Sequence, residues 1–341
     1  MTERRLAVVL FNLGGPDGQE DVRPFLRNLF ADPAIIDLPA AARLPLAELI
    51  SRTRTRSAKS NYAAMGGGSP LLAGARAQAE ALQRALSEAG EAVRVFIAMR
   101  YWRPTSEETA REVKAFDPTD IVLAPLYPQF STTTTASSLA AWREAYDGPG
   151  QTHGLCCWPA NAGLARAHAE AILETWEQAG RPKVRLLFSA HGIPLRTAAK
   201  GDPYAWQVEV TCREVAERLG EGWDWRICYQ SRVGPMKWLG PSTPEAIAAA
   251  AAEGLGVLVD PVAFVSEHVE TLIELDRDYA TLAKAAGAPC YLRAPAVGVR
   301  PAFIDGLAQA VRGALSRGGV GPDGPTCPAS FAKCGRTRQA A

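Results

Sequence analysis

The sequence predicts an α/β fold built of two similar, doubly wound domains with parallel sheets, with ligands held at the strand carboxyl ends. Apolar runs of strand length alternate with helix-length stretches, the pattern of a parallel sheet covered on both faces. The chain has 341 residues, of which 47% are hydrophobic, enough for two ordinary domains. The segment Leu6-Ala-Val-Val-Leu-Phe-Asn-Leu-Gly-Gly-Pro16 is echoed by Val184-Arg-Leu-Leu-Phe-Ser-Ala-His-Gly-Ile-Pro194, and residues 121–131 are echoed by 257–266. Both members of the first pair are strands that run into a glycine-containing turn.

Taken in order, residues 6–13 form a buried strand, 21–30 and 72–89 helices, and 93–98 and 121–126 further strands. Gly148-Pro149-Gly150 marks a break. Beyond it the same logic returns, with helices at 162–179, 204–219 and 244–253 and strands at 185–189, 225–229 and 256–259. After Pro301, the residues Phe303, Leu307, Val311 and Leu315 recur at helical spacing, and Gly318-Gly319 ends the helix. The organisation expected is a Rossmann-like domain over 1–152, a second over 153–300, and a C-terminal helix with a tail over 301–341.

Charge narrows the function classes. Lys and Arg nearly cancel Asp and Glu, leaving a formal net charge of +1, so no global field gathers nucleic acid. The run after Arg4-Arg5 is too short for a secretory signal and lacks a small-residue cleavage pattern, and no uninterrupted apolar stretch reaches the roughly 18 residues of a membrane span. Seven scattered cysteines fit a reduced compartment better than a disulfide scaffold. The expectation is a cytoplasmic enzyme.

Several residues carry chemistry. His191 follows directly on an apolar strand, where such folds place ligands, and an imidazole accepts protons or binds metal near neutral pH. Position alone also allows a histidine that only satisfies a loop. In the segment 266–278, Glu267, Glu270, Glu274 and Asp278 fall along one side of an α-helix that begins near Ser266, with His268 among them. Acids so spaced repel one another and call for a compensating cation. Such a ladder is either a solvated face or, inside a cleft, a site for hard divalent cations or proton relay. Arg52, Arg54, Arg56 and Lys59 form a basic loop, and the apolar, aperiodic stretch 38–46 before it suits a lip that closes over an apolar ligand or touches a bilayer. Gly66-Gly67-Gly68-Ser69-Pro70 lacks the Lys-Ser/Thr of a phosphate loop and reads as a turn. Trp238, on a Gly/Pro-bounded loop, offers a surface for a flat ligand.

Together these segments resemble the ferrochelatase family over residues 8–315. The resemblance is carried by Asn12-Leu13-Gly14-Gly15-Pro16, Gly66 to Pro70, Arg100-Tyr101, Tyr127-Pro128-Gln129-Phe130-Ser131, Ser189-Ala190-His191-Gly192-Ile193-Pro194, Tyr229-Gln230-Ser231-Arg232, Gly234-Pro235-Met236-Lys237-Trp238-Leu239-Gly240-Pro241 and the segment 264–276. It implies a chelatase-like fold and insertion of Fe²⁺ into protoporphyrin IX to form protoheme with release of two protons. By the same resemblance His191 and Glu270 are catalytic, and His191, Glu270 and Glu274 meet the metal. Glu267, His268, Glu274 and Asp278 form the acidic proton path, while Leu13, Arg54, Tyr62, Arg100, Tyr101, Tyr127 and Trp238 lie along the porphyrin. Some members hold a 2Fe-2S cluster on four cysteines, for which Cys156, Cys157, Cys327 and Cys334 are the candidates here. A homodimer is a further implication, since a cysteine-bearing C-terminal extension goes with dimers in the family, while peripheral membrane contact rests on the apolar stretch 38–46 alone. The rival readings are a chelatase for another metal or for coproporphyrin, and a porphyrin- or heme-binding protein without turnover.

Overall fold

Seven of the eight residues of β1 (Arg5–Asn12) are buried, as an apolar strand must be when it has a neighbour on each edge and helices on each face. The computed structural model describes residues 4–87, 92–232, 234 and 236–335. After β1 come α1 (Val22–Ala31), α2 (Ala40–Ala64), α3 (Leu71–Ser87), β2 (Ala92–Met99), α4 (Ser106–Phe116), β3 (Asp120–Pro125), α5 (Thr135–Ala145) and β4 (Gln151–Cys157). The chain continues with α6 (Ala162–Gln178), β5 (Val184–His191), α7 (Leu195–Ala199), α8 (Tyr204–Leu219), β6 (Trp225–Gln230), α9 (Thr243–Ala252) and β7 (Gly256–Asp260). A π-helix (Glu270–Tyr279), α10 (Ala280–Ala285), β8 (Tyr291–Arg293), α11 (Pro301–Arg317) and β9 (Val320–Pro322) follow.

The chain divides into two units, one of residues 1–127, 131–156 and 311–321, the other of 128–130, 157–310 and 322–341. The first sheet has the order β2-β1-β3-β4-β9 and the second β6-β5-β7-β8. Within each, the first strand pairs in parallel with the two that follow it, one on each edge. The strand order therefore reverses between β1 and β3, and again between β5 and β7, which opens a crevice at the carboxyl ends of those strands. The two echoed pairs of segments are these four strands, so the sequence echo coincides with a repeated topology.

Local chemistry sets several boundaries. Ser242 and Glu245 form a reciprocal capping box that starts α9 directly after the Trp238 loop, and Asn161 caps α6. In the second unit, α6 and α11 cross in backbone contact. A Cβ on Gly163 would lie 2.2 Å from the Ala302 carbonyl oxygen and 2.7 Å from the Gly306 Cα, so no larger residue fits.

Three segments differ from expectation. Residues 52–59 are not a loop but lie inside the 25-residue α2, which carries Pro45 within it. Glu48 accepts Arg23 and Arg27 of α1 as well as Arg52 one turn on, and Lys59 pairs with Glu20. Leu38, Leu44 and Leu49 remain exposed, which explains the lack of apolar periodicity. The break at Gly148-Pro149-Gly150 is followed at once by β4, whose polar first residues hide the strand. The acidic segment is a ten-residue π-helix, not an α-helix, and it starts at Glu270, so Glu267 and His268 precede it. Pro235 and the expected helix end at Ala89 lie outside the described residues. No helix among the described residues is long and apolar enough to cross a membrane.

Candidate active site

The parallel sheet of the second unit carries His191 to the carboxyl end of β5, beside the β5/β7 switch point. After β7 the chain turns through Pro261 to Val269 and enters the π-helix, whose first residue is Glu270. Glu270 Oε2 lies 2.8 Å from His191 Nδ1 and 3.6 Å from His268 Nε2. The His191 side chain keeps 40% of its surface and Glu270 23%, so the pair is open on one side. Burial opposes the His191 imidazolium, but the charge and hydrogen bond of Glu270 outweigh it, and its pKa is raised. Burial likewise favours the neutral acid at Glu270, yet His191 and His268 together hold its pKa well below the ordinary carboxylate value.

With Glu270 held ionised, Nδ1–H of His191 donates to its carboxylate, and the neutral imidazole then keeps its lone pair on Nε2. The arrangement is that of a base whose cationic form is held by a neighbouring acid. Trp238 flanks it. Leu195 N–H donates to the Lys237 carbonyl at 2.9 Å and Leu239 N–H to the Ile193 carbonyl at 3.1 Å, so the tryptophan loop is laced to the strand exit after His191. A Cβ on Gly192 would stand 3.4 Å from the Trp238 ring.

Glu274, one turn along the π-helix, is gripped by four donors. Ser231 N–H donates at 2.8 Å, Ser231 Oγ at 2.5 Å, Tyr279 Oη at 2.6 Å and Gln230 Nε2 at 3.3 Å. Ser231 takes a left-handed backbone with φ 61°, uncommon for a residue with a side chain, and this aims both of its donors at Glu274. Gln230 also donates to the Glu270 carbonyl at 3.1 Å and accepts from Ser189 Oγ at 2.8 Å. Glu267 and Asp278 sit elsewhere. Glu267 pairs with Arg293 and accepts the Ala296 N–H, and Asp278 is half exposed beside Arg277.

In the first unit, Leu13 follows β1 and its carbonyl accepts the Tyr101 N–H. The buried Asp32 draws Arg100 and Tyr101 together, accepting from Arg100 Nη2 at 2.8 Å, Tyr101 Oη at 2.8 Å and Ser137 Oγ at 2.5 Å. Arg54 and Tyr62 both belong to α2, the first with its guanidinium 5.7 Å from the Phe30 ring and the second buried. The Tyr127 hydroxyl is buried, which pushes its pKa up.

A family model described as Ferrochelatase matches residues 5–315. The chain is 60% identical over 334 residues to the ferrochelatase of Phenylobacterium zucineum and 57% identical over 337 residues to that of Caulobacter vibrioides, with 97% of each chain covered in both comparisons. The chain belongs to the ferrochelatase family. Among solved structures, the sirohydrochlorin chelatase SirB from Bacillus subtilis subspecies spizizenii, in complex with cobalt, superposes with a TM-score of 0.50. At 13% identity over 92% of this chain and 96% of that one, it shares the fold. Family membership makes the chain an enzyme of heme biosynthesis that inserts iron into a porphyrin.

Sequence reading of this ferrochelatase-family chain missed Asp32, Tyr279 and Arg293, which enter only through tertiary pairing, and gave no role to Gln230 or Ser231. An acid ladder that requires a cation was the one signal that pointed toward Arg293. Among the described residues no group of three or more His, Cys, Asp or Glu side chains has the geometry to hold a metal ion. The tail nevertheless brings thiols together. Cys327 bonds to the side chains of Cys157 and Cys334 and accepts from Gln207 Nε2 at 3.1 Å, contacts that lower its pKa. Strand alternation directs the Cys156 side chain to the opposite face of β4 from Cys157.

Proposed function

We propose that the chain inserts Fe²⁺ into protoporphyrin IX, with His191 and Glu270 as the catalytic pair. The observation that carries this reading is the 2.8 Å bond between His191 Nδ1 and Glu270, which leaves Nε2 of the neutral imidazole as the base in a side chain that keeps 40% of its surface. Metalation removes two pyrrole protons. Nε2 takes one of them, Glu270 stabilises the imidazolium that results, and the second proton passes to solvent beside the partly exposed pair. A rigid wall beside His191, provided by Trp238, supports a bent macrocycle whose N–H groups are exposed, so that binding energy is used toward the transition-state geometry. The iron is met on the acidic side by Glu270 and Glu274, and by His191 only while Nε2 still carries its lone pair.

Anaerobic Fe²⁺ insertion into protoporphyrin IX, followed by absorbance with coproporphyrin in parallel, tests the reading. Protoheme formation at the higher kcat/KM supports it. Porphyrin binding without turnover under any divalent metal would point to a carrier, and faster turnover of coproporphyrin would change the substrate.

A 2Fe-2S cluster at the tail is supported by the thiol contacts of Cys157, Cys327 and Cys334, which suit three of the four ligands such a cluster takes. These three side chains would hold it, whereas Cys156, on the opposite face of β4 from Cys157, is not placed to supply the fourth ligand. Bound there, a cluster would tie the tail to the end of β4. Protein purified without oxygen is expected to contain acid-labile sulfide and to absorb in the visible, and Cys327→Ser is expected to lose both. Wild-type protein free of sulfide would refute the cluster.

A further inference from the structure

The π-helix that presents Glu270 and Glu274 depends on outside support, because i→i+5 bonding is seldom sustained beyond one turn. That support comes from β8, the short edge strand of the second sheet. Tyr291 Oη donates to the Leu275 carbonyl at 2.7 Å. Arg293, two residues on, clamps Asp276 through Nε at 2.7 Å and Nη2 at 2.5 Å, the bidentate geometry that fixes a carboxylate in orientation as well as distance. Its third nitrogen, Nη1, reaches Glu267 Oε1 at 2.5 Å, and the same oxygen accepts the Ala296 N–H at 2.9 Å.

Glu267 lies before the helix and Asp276 within it. One guanidinium therefore ties down both ends of the segment that carries His268, Glu270 and Glu274. The Arg293 side chain is only 12% exposed, while Glu267 and Asp276 keep 29% and 36% of theirs, so salt screens the two pairs in part. Without the clamp, the segment is free to relax toward i→i+4 bonding, which turns Glu274 away from Ser231 and Tyr279 and shifts Glu270 against His191.

We propose that Arg293 is a positioning residue for metal insertion, acting through Glu267 and Asp276 to hold the π-helix in the register that sets Glu270 beside His191. This rests on the reading of His191 and Glu270 given above. Arg293→Met, Arg293→Lys and Asp276→Asn are compared for kcat, porphyrin KM and melting temperature in Fe²⁺ insertion, with His191→Ala as reference. The expected result is a kcat about tenfold or more lower in Arg293→Met with little change in porphyrin KM, since a small misplacement of reacting groups is enough for such a loss. Arg293→Lys recovers part of the rate, because an ammonium reaches one carboxylate but does not fork.

A lower melting temperature with unchanged kcat in the folded enzyme would overturn the inference and leave a structural role only. If Arg293→Met does not fold, Asp276→Asn and Arg293→Lys decide the same question through the same split. Full activity in His191→Ala would refute the site reading itself. Loss there with full activity in all three clamp variants would refute this inference alone.

Discussion

His191→Ala is expected to lower kcat for iron insertion by about 10²–10⁴-fold, the usual contribution of a positioned general base, with porphyrin KM changed far less. Glu270→Gln is expected to fall within the same range. The double variant should be no slower than the worse single, because the pair acts as a unit across one 2.8 Å bond. The pH profile separates the roles. His191 serves as a base only when neutral, and Glu270 raises its pKa above 6.5, so the acid limb of the wild-type profile lies above that value. Removing the Glu270 charge lowers that pKa and moves the limb to lower pH, while the plateau falls because the imidazolium loses its partner. Recordings of kcat/KM against pH for wild type and Glu270→Gln check this, and an unmoved limb would mean that His191 is not the titrating base.

Parts of this arrangement are written in the sequence and parts are not. The strands β1, β3, β5 and β7 are legible because each is buried on both faces, so burial alone forces an unbroken apolar run. His191 is legible for the same reason, as the polar residue on which such a run ends. Helix α2 is not, since its Glu48 is satisfied by α1 and Leu44 and Leu49 are left exposed, so no 3.6-residue stripe is needed. The π-helix is hidden too. Its acids fit an α-helical ladder on paper, and only the partners supplied by Ser231, Tyr279 and Arg293 distinguish the registers. Glu267 is the instructive residue, because spacing groups it with the ladder whereas its contacts make it one end of a clamp.

The same logic of partners applies in the core of the second unit, where His168 of α6 and Asp260 at the end of β7 are both fully buried and meet at 3.0 Å. Among the described residues His168 Nε2 and Asp260 Oδ2 have no hydrogen-bond partner, so each side chain depends on the other. Asp260→Ala or His168→Ala is therefore expected to destabilise the fold by about 3–5 kcal/mol, because a buried ionisable group is left uncompensated. His168→Leu combined with Asp260→Leu removes both groups and should cost much less than either alanine variant, despite two changes in the core. Urea unfolding of these variants, with His168→Leu and Asp260→Leu alone to close the cycle, measures the coupling. Near-additive losses would mean that packing, not the pair, sets the cost. A large coupling would show that β7 is pinned to α6 at the strand end from which the chain leaves for Glu270, so that the stability of the core and the placement of the acidic helix share one contact.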